Sequence, residues 1–103
     1  MVLMKIEFEI KEDTVEEYLK FSNEENIPYW RSAKGFIEMR GYRDLSSGKV
    51  LVTCDFESFE LLGKAMDTEK YKELMRKFAS YTKNVKWELW GASPVIEEPL
   101  KPM

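Results

Sequence analysis

The chain has 103 residues, a length typical of one domain with its own hydrophobic core. Its composition of 44% hydrophobic and 34% charged residues excludes an intrinsically disordered protein. The net charge of −3 and the absence of any basic run argue against nucleic acid as a partner. No apolar run approaches the roughly 20 residues that cross a bilayer, so we expect no membrane contact.

Two residue types narrow the chemistry further. Cys54 is the only cysteine, which rules out an internal disulfide and favours a reducing, cytoplasmic location. Histidine is absent, so the commonest metal ligand and neutral-pH acid–base group is missing, and we predict no metal site. Lysine and glutamate are abundant and glutamine is absent, a balance that suggests a thermophilic source.

The chain begins with a period-two strand that has one apolar face, formed by Val2, Met4, Ile6, Phe8 and Ile10. Asp13 or Thr14 can then begin a helix, with Glu17 in the capping-box position. At about 100° per residue, one buried stripe of this helix is expected to contain Val15, Tyr18, Leu19, Ser22, Asn26, Tyr29, Trp30 and Ala33.

The segment NEENIPYWRSAKGF, residues 23–36, continues this helix yet contains Pro28. Proline removes a backbone hydrogen bond and bends a helix, so Tyr29 and Trp30 are expected to wrap over the sheet edge. Gly35 then turns the chain into the next strand. A shaped core and an aromatic pocket mouth both fit this pattern. Arg31 fits either a surface residue or the partner of a substrate carboxylate.

The remaining elements complete an alternating order. Residues 36–43 and 49–57 are predicted strands joined by a polar loop of hairpin length. Ser58 can cap a helix over residues 59–66, and Asp67 or Thr68 a longer helix to about residue 82. A last strand spans residues 85–91, with Trp87 and Leu89 on its apolar face.

This β-α-β-β-α-β order predicts an α+β, ferredoxin-like fold, in which a four-stranded antiparallel sheet has both helices on one face. The domain is expected to cover residues 1–92, and residues 93–103 form a Pro-rich C-terminal arm. The other sheet face is expected to carry eight charged residues together with Trp90, Tyr42, Leu51 and Phe36. Such aromatics suit a homodimer interface through the open sheet face, with its charges paired or hydrated.

The chain resembles the antibiotic-biosynthesis-monooxygenase type of the dimeric α/β-barrel superfamily. The resemblance covers residues 2–91 and rests on Pro28, Tyr29 or Trp30, Arg31, Gly35-Phe36 and Glu57-Ser58. It implies a homodimer that pairs two sheets into a barrel, with a small-molecule pocket between helices and sheet. Because histidine is missing, it favours members that oxygenate a small phenol or quinol without a cofactor, and no catalytic residue is carried over.

Within such a pocket, Ser22 and Asn26 stand out because they are polar residues at the centre of a buried stripe. They can bond to backbone, or they can face a small apolar or aromatic ligand and stabilise charge on its oxygen. We therefore predict a ligand site formed by Ser22, Asn26, Tyr29, Trp30, Cys54, Tyr71 and Trp87. Cys54 is expected to be a buried thiol with a raised pKa rather than a nucleophile.

The residues leave three classes of function open. The first is a cofactor-independent monooxygenase, the second a non-catalytic ligand-binding module, and the third a structural or interaction dimer. An open pocket at Ser22 and Asn26 would favour the first two classes, and a filled core the third.

Overall fold

A computed structural model describes residues 1–103. It confirms the ferredoxin-like fold, in which a four-stranded antiparallel sheet carries its helices on one face. The strands are β1 (Val2–Ile10), β2 (Phe36–Arg43), β3 (Val50–Phe56) and β4 (Thr82–Gly91), and their order in the sheet is β2-β3-β1-β4. The helices are α1 (Val15–Phe21), α2 (Ile27–Ser32), α3 (Phe59–Ala65) and α4 (Glu69–Tyr81). No helix is long and apolar enough to span a bilayer.

The core lies between the sheet and the helices. The alternation of β1 is as predicted, since Val2, Met4, Ile6 and Phe8 are buried. These side chains meet one continuous helical surface, to which the main buried contributors are Tyr18, Phe21, Trp30, Leu62, Leu74 and Phe78. Two rings pack edge-on at the centre, with the centroids of Phe8 and Phe78 4.9 Å apart.

The bend predicted at Pro28 takes the form of a π-helical turn over Ser22–Asn26, between α1 and α2. Within it the Ile27 N–H donates to the Ser22 carbonyl, five residues back. In an uninterrupted α-helix Trp30 would lie about 120° around the axis from Tyr18. The extra residue in the π turn removes roughly 100° of that angle. Tyr18 and Trp30 therefore both reach the core, with 8% and 2% of their surface exposed.

Two predictions for this helix are wrong. Val15 and Leu19 are exposed, because Phe21 enters the core and turns them outward. The capping box is also absent, since the Thr14 side chain makes no capping bond. Its hydroxyl lies 3.0 Å from the Lys11 carbonyl and 3.2 Å from that of Tyr81, and these bonds tie the helix start to the end of α4.

The later caps are as predicted. The Ser58 hydroxyl accepts a hydrogen bond from the Leu61 N–H at the start of α3. The Thr68 hydroxyl accepts one from the Tyr71 N–H at the start of α4. The last strand begins at Thr82, three residues earlier than predicted, because it forms an irregular pair with β1 around Asn84, whose φ is +54°.

The placement of Phe36 on the open face is also wrong. A β-bulge lies between Phe36 and Glu38, so Phe36 is paired with Phe56 while Glu38 is paired with Asp55. The two phenylalanine rings are 6.1 Å apart on the helix side of the sheet. The bulge reverses the alternation and leaves Glu38, Arg40 and Tyr42 on the open face.

The open face carries paired charge and uncovered aromatic surface. Lys5 and Lys86 both lie within 4.0 Å of Glu88, at 3.9 and 3.6 Å, and Arg40 lies 3.3 Å from Glu38. Trp90 is 53% exposed and Tyr42 50% exposed. Residues 92–103 follow β4 without helix or strand. No element of this chain covers the face.

A side chain in place of Gly35, at the turn into β2, is expected to destabilise the fold more than one in place of Gly48. Its φ is +93°, and a Cβ there would lie 2.7 Å from Leu61 Cδ1, whereas Gly48 has φ +77° with open space around it. Gly48→Ala should therefore cost only the left-handed conformation, about 1–2 kcal/mol. Gly35→Ala should cost a further 1–3 kcal/mol or so from overpacking. Urea unfolding of both variants measures the difference, and equal costs would contradict the Leu61 contact.

Candidate functional site

A cavity of about 490 Å³ lies between the first helical unit and the sheet. Its floor consists of β1 and β3 side chains, and its roof consists of α1, the π turn and α2. The strand β2 forms its outer side. Most of its lining is apolar and aromatic, including Ile6, Phe8, Tyr18, Trp30, Met39 and Val52. This position, between helices and sheet, is the one that the family resemblance implied for a pocket.

Ser22 and Asn26, the first and last residues of the π turn, both line this cavity. The Asn26 carbonyl oxygen, Oδ1, is shielded from solvent and receives no hydrogen bond. An unpaired buried acceptor costs about 1–3 kcal/mol. Since the terminal torsion of asparagine is broad, the amide can turn to present its oxygen or its nitrogen to a guest. The cavity wall thus carries a hydrogen-bond acceptor, the Asn26 carbonyl oxygen, that no other group of the protein uses.

Tyr18 adds a hydroxyl to the same wall. Burial raises the pKa of Tyr18 above its ordinary value, and the nearby Ser22 side chain offsets part of that rise. The Tyr18 hydroxyl therefore stays protonated at neutral pH. Tyr18, Ser22 and Asn26 together form a polar strip on the part of the roof that α1 and the π turn provide.

Arg31 lines the cavity from α2, one helical turn after Ile27, and forms no salt bridge. Two other charged residues of the lining, Glu38 and Arg40, belong to β2. Their side chains pair with each other on the open face, as their register with Asp55 and Thr53 requires. Arg31 is therefore the unpaired charge on the helical wall.

Of the other predicted site residues, only Trp30 joins this cavity. Tyr29 lies on the far side of α2, in a surface cleft against α3 and α4. Its hydroxyl donates to the Ala65 carbonyl at 2.7 Å and lies 2.5 Å from the Thr68 hydroxyl. Tyr29 thus fastens α2 to the α3–α4 junction.

Tyr71 and Trp87 lie in a second groove, between α4 and β4, with a volume of about 590 Å³. Phe78 borders both the groove and the cavity and separates them. Cys54 lines neither space, because it is fully buried in the core. Burial, and secondarily the negative charge of Asp55, raises the pKa of Cys54 to about 12.

Four residues of the cavity lining were not predicted from the sequence, namely Ile27, Met39, Gly41 and Val52. None of them departs from an ordinary helix or strand pattern. The one available signal was Pro28, whose missing N–H cannot bond the carbonyl four residues earlier and so invites a wider turn. No group of three or more cysteine, aspartate or glutamate side chains converges as metal ligands would.

Several solved structures share this fold at low sequence identity. One is an antibiotic biosynthesis monooxygenase, with 16% identity, a TM-score of 0.77, and coverage of 91% of this chain and all of that one. SnoaB from Streptomyces nogalater, a cofactor-independent oxygenase, has 11% identity and a TM-score of 0.77 over 94% and 97% of the two chains. Rv0793 from Mycobacterium tuberculosis has 14% identity and a TM-score of 0.73 over 98% and 96%.

At the sequence level there is no comparable match. No protein-family model matches the chain, and no curated protein is significantly similar to it. The likeness to the solved structures therefore establishes the ferredoxin-like fold of antibiotic biosynthesis monooxygenases, and the cavity must be interpreted from its own residues.

The Cys54 thiol is expected to be inert in the folded chain. With a pKa of about 12, about one thiol in ten thousand is ionised at pH 8, and that sulfur is buried. A thiol reagent such as dithionitrobenzoate should label it only on unfolding, and immediately in guanidinium. Labelling of the native protein at the rate of a free thiol would contradict this burial.

The neutral Cys54 thiol also stabilises the fold below about pH 8.5, and that contribution is lost as the pH rises toward 12.

Proposed function

We propose that the chain is a small-molecule-binding protein whose cavity holds a small phenol or quinol beside Asn26. The observation that carries the proposal is the unpaired Asn26 carbonyl oxygen on the wall of an apolar cavity of about 490 Å³. A folded chain rarely leaves such an atom without a partner unless something else supplies one.

The lining indicates what kind of molecule fits. The volume falls within the range of roughly 300–1,000 Å³ that small-molecule pockets occupy. Phe8, Tyr18 and Trp30 offer aromatic surfaces to a planar ring. A ring hydroxyl can donate to the Asn26 oxygen, and the Asn26 amide N–H or the Ser22 hydroxyl can donate to the ring oxygen. The single hydroxyl of a phenol can both donate one hydrogen bond and accept another.

Oxygenation of the bound phenol is the reaction that we propose for this site. It is supported by the shared fold of SnoaB, a cofactor-independent oxygenase. A phenol and O2 yield a quinone and water: one oxygen atom becomes the new carbonyl, and the other leaves with two hydrogens. The substrate supplies all the electrons, so no external reductant is needed. Asn26 and Ser22 would stabilise the negative charge that develops on the phenol oxygen.

The alternative is a module that binds the same ligand without turnover. It is favoured because no carboxylate, thiol or imidazole on the cavity roof could accept a proton from the ligand. An oxygen electrode separates the two. Oxygen uptake that requires both protein and phenol, with one O2 per quinone formed, supports the enzyme. Saturable binding without oxygen uptake supports the module.

We also propose a homodimer through the open sheet face. Trp90 and Tyr42 are half-exposed there. Asp55 Oδ1 is buried without a partner on the same face, and burial together with the nearby charge of Glu38 raises the pKa of Asp55. A second sheet would cover the aromatics and can supply a donor to Asp55.

Domain limits and location complete the proposal. The folded domain spans residues 1–92, and residues 93–103 are an arm outside it, in line with the end of β4 at Gly91. The free, fully buried thiol of Cys54 is compatible with a cytoplasmic, reducing location.

Asn26→Leu should lower the affinity for a bound phenol about tenfold, since one hydrogen bond to the ligand is lost. The same substitution removes an unpaired buried acceptor, so the melting temperature should stay level or rise. Asn23→Leu, on the exposed side of the same π turn, is the matched control and should change neither quantity. Quenching of tryptophan fluorescence by phenols measures the affinity. Equal affinities for both variants would refute the role of Asn26.

Trp90→Glu should weaken the dimer at least tenfold, because it places an unpaired charge in an apolar contact. Leu19→Glu is the control, since Leu19 is equally exposed at 50% but lies on α1, away from the open face. Light scattering should give twice the 12.2 kDa chain mass for the wild type and Leu19→Glu, and a dilution-dependent fall for Trp90→Glu. A monomeric wild type at micromolar concentration would end the dimer proposal.

A further inference from the structure

Arg31 forms no salt bridge, unlike most of the basic residues on α3 and α4. Lys64, Lys70, Lys72 and Lys77 each form a salt bridge with a glutamate on their own helix. Around Arg31, the positions three and four residues away are Ile27, Pro28, Lys34 and Gly35, none of which is acidic. No acidic residue elsewhere comes within salt-bridge distance of it.

Its position relates it to the cavity rather than to open solvent alone. Arg31 lines the cavity on the same side of α2 as Ile27, and its own residue is exposed, which places it at the mouth. The other two charged lining residues neutralise each other, since Arg40 lies 3.3 Å from Glu38 on the opposite sheet face. The mouth therefore has one uncompensated positive charge.

The polar strip and this charge are set at a definite spacing. Asn26 and Arg31 are five residues apart, or roughly 7.5 Å along a helix axis. The wall between them is apolar, formed by Ile27 and Trp30. A flat molecule with a hydroxyl at one end and an anionic group at the other matches that order of polar, apolar and positive surface.

We propose that the ligand of this cavity is a hydroxylated aromatic carboxylate, whose hydroxyl lies at Asn26 and whose carboxylate is bound by Arg31 at the mouth. This inference rests on the proposed function and adds the anionic group. A guanidinium presents two parallel N–H donors to a carboxylate, and such charge-assisted pairs are stronger than neutral hydrogen bonds. Because Arg31 is exposed, a carboxylate bound to it can remain partly hydrated, which limits its desolvation cost.

The test compares acids with their primary amides, which have nearly the same shape but no charge. The probes are para-hydroxyphenylacetate and a hydroxynaphthoate with its two groups at opposite ends, each beside its amide. Affinity is measured by tryptophan fluorescence and calorimetry at constant ionic strength. The wild type should bind at least one acid about tenfold more tightly than its amide.

Arg31→Gln should abolish that preference and leave amide affinity unchanged. Arg76→Gln removes the same charge from α4, from a residue that also lacks a salt bridge and does not line the cavity, and it should preserve the preference. This control separates local binding from a change in net charge. Both residues are exposed, so both variants should keep the wild-type melting temperature.

The possible failures are distinguishable. If amides and acids bind the wild type equally, or if the preference survives in Arg31→Gln, the carboxylate inference is overturned while the phenol proposal stands. If no probe of either kind binds the wild type, the proposed function fails and this inference fails with it.

Discussion

The site depends on a single missing backbone donor. Pro28 has no N–H to donate to the turn before it, and that turn, Ser22–Asn26, is a π turn. That turn is what allows Tyr18 and Trp30 to face the same core from two successive helices. It also places the residues at its two ends, Ser22 and Asn26, on the wall of the cavity. One local constraint on hydrogen bonding thus determines both the packing of the first helical unit and the polar character of its inner surface.

Much of the architecture could be predicted because short stretches of adjacent residues determine where its strands, helix caps and turns lie. The alternation of β1, the caps at Ser58 and Thr68, and the polar hairpin loop each depend on a few adjacent residues. The errors arose where tertiary contacts override such signals. Thr14 has the right type for a cap, but its hydroxyl bonds across to Tyr81. Phe36 has the right parity for the open face, but the bulge at the β2 edge moves it into the core.

The candidate site was predicted in part for the same reason. Ser22 and Asn26 could be recognised because polar residues interrupted a buried helical stripe, and they do line one cavity. Tyr29, Tyr71 and Trp87 share the aromatic character of the site but not its location. A single sequence shows that a side chain faces the helix side of the sheet. It does not show on which side of Phe78 that side chain will lie, since this depends on how α1 and α4 pack together.

The cavity also makes the abundance of the folded chain sensitive to its surroundings. The side chains that line this cavity of about 490 Å³ make fewer dispersion contacts with protein atoms than they would in a filled core. Any guest that binds only the folded form restores those contacts and adds stability in proportion to the logarithm of its concentration, about 2.7 kcal/mol at a hundred times Kd. Because proteases and chaperones act on the unfolded fraction, a cell rich in that guest would retain more of the protein than a cell that lacks it.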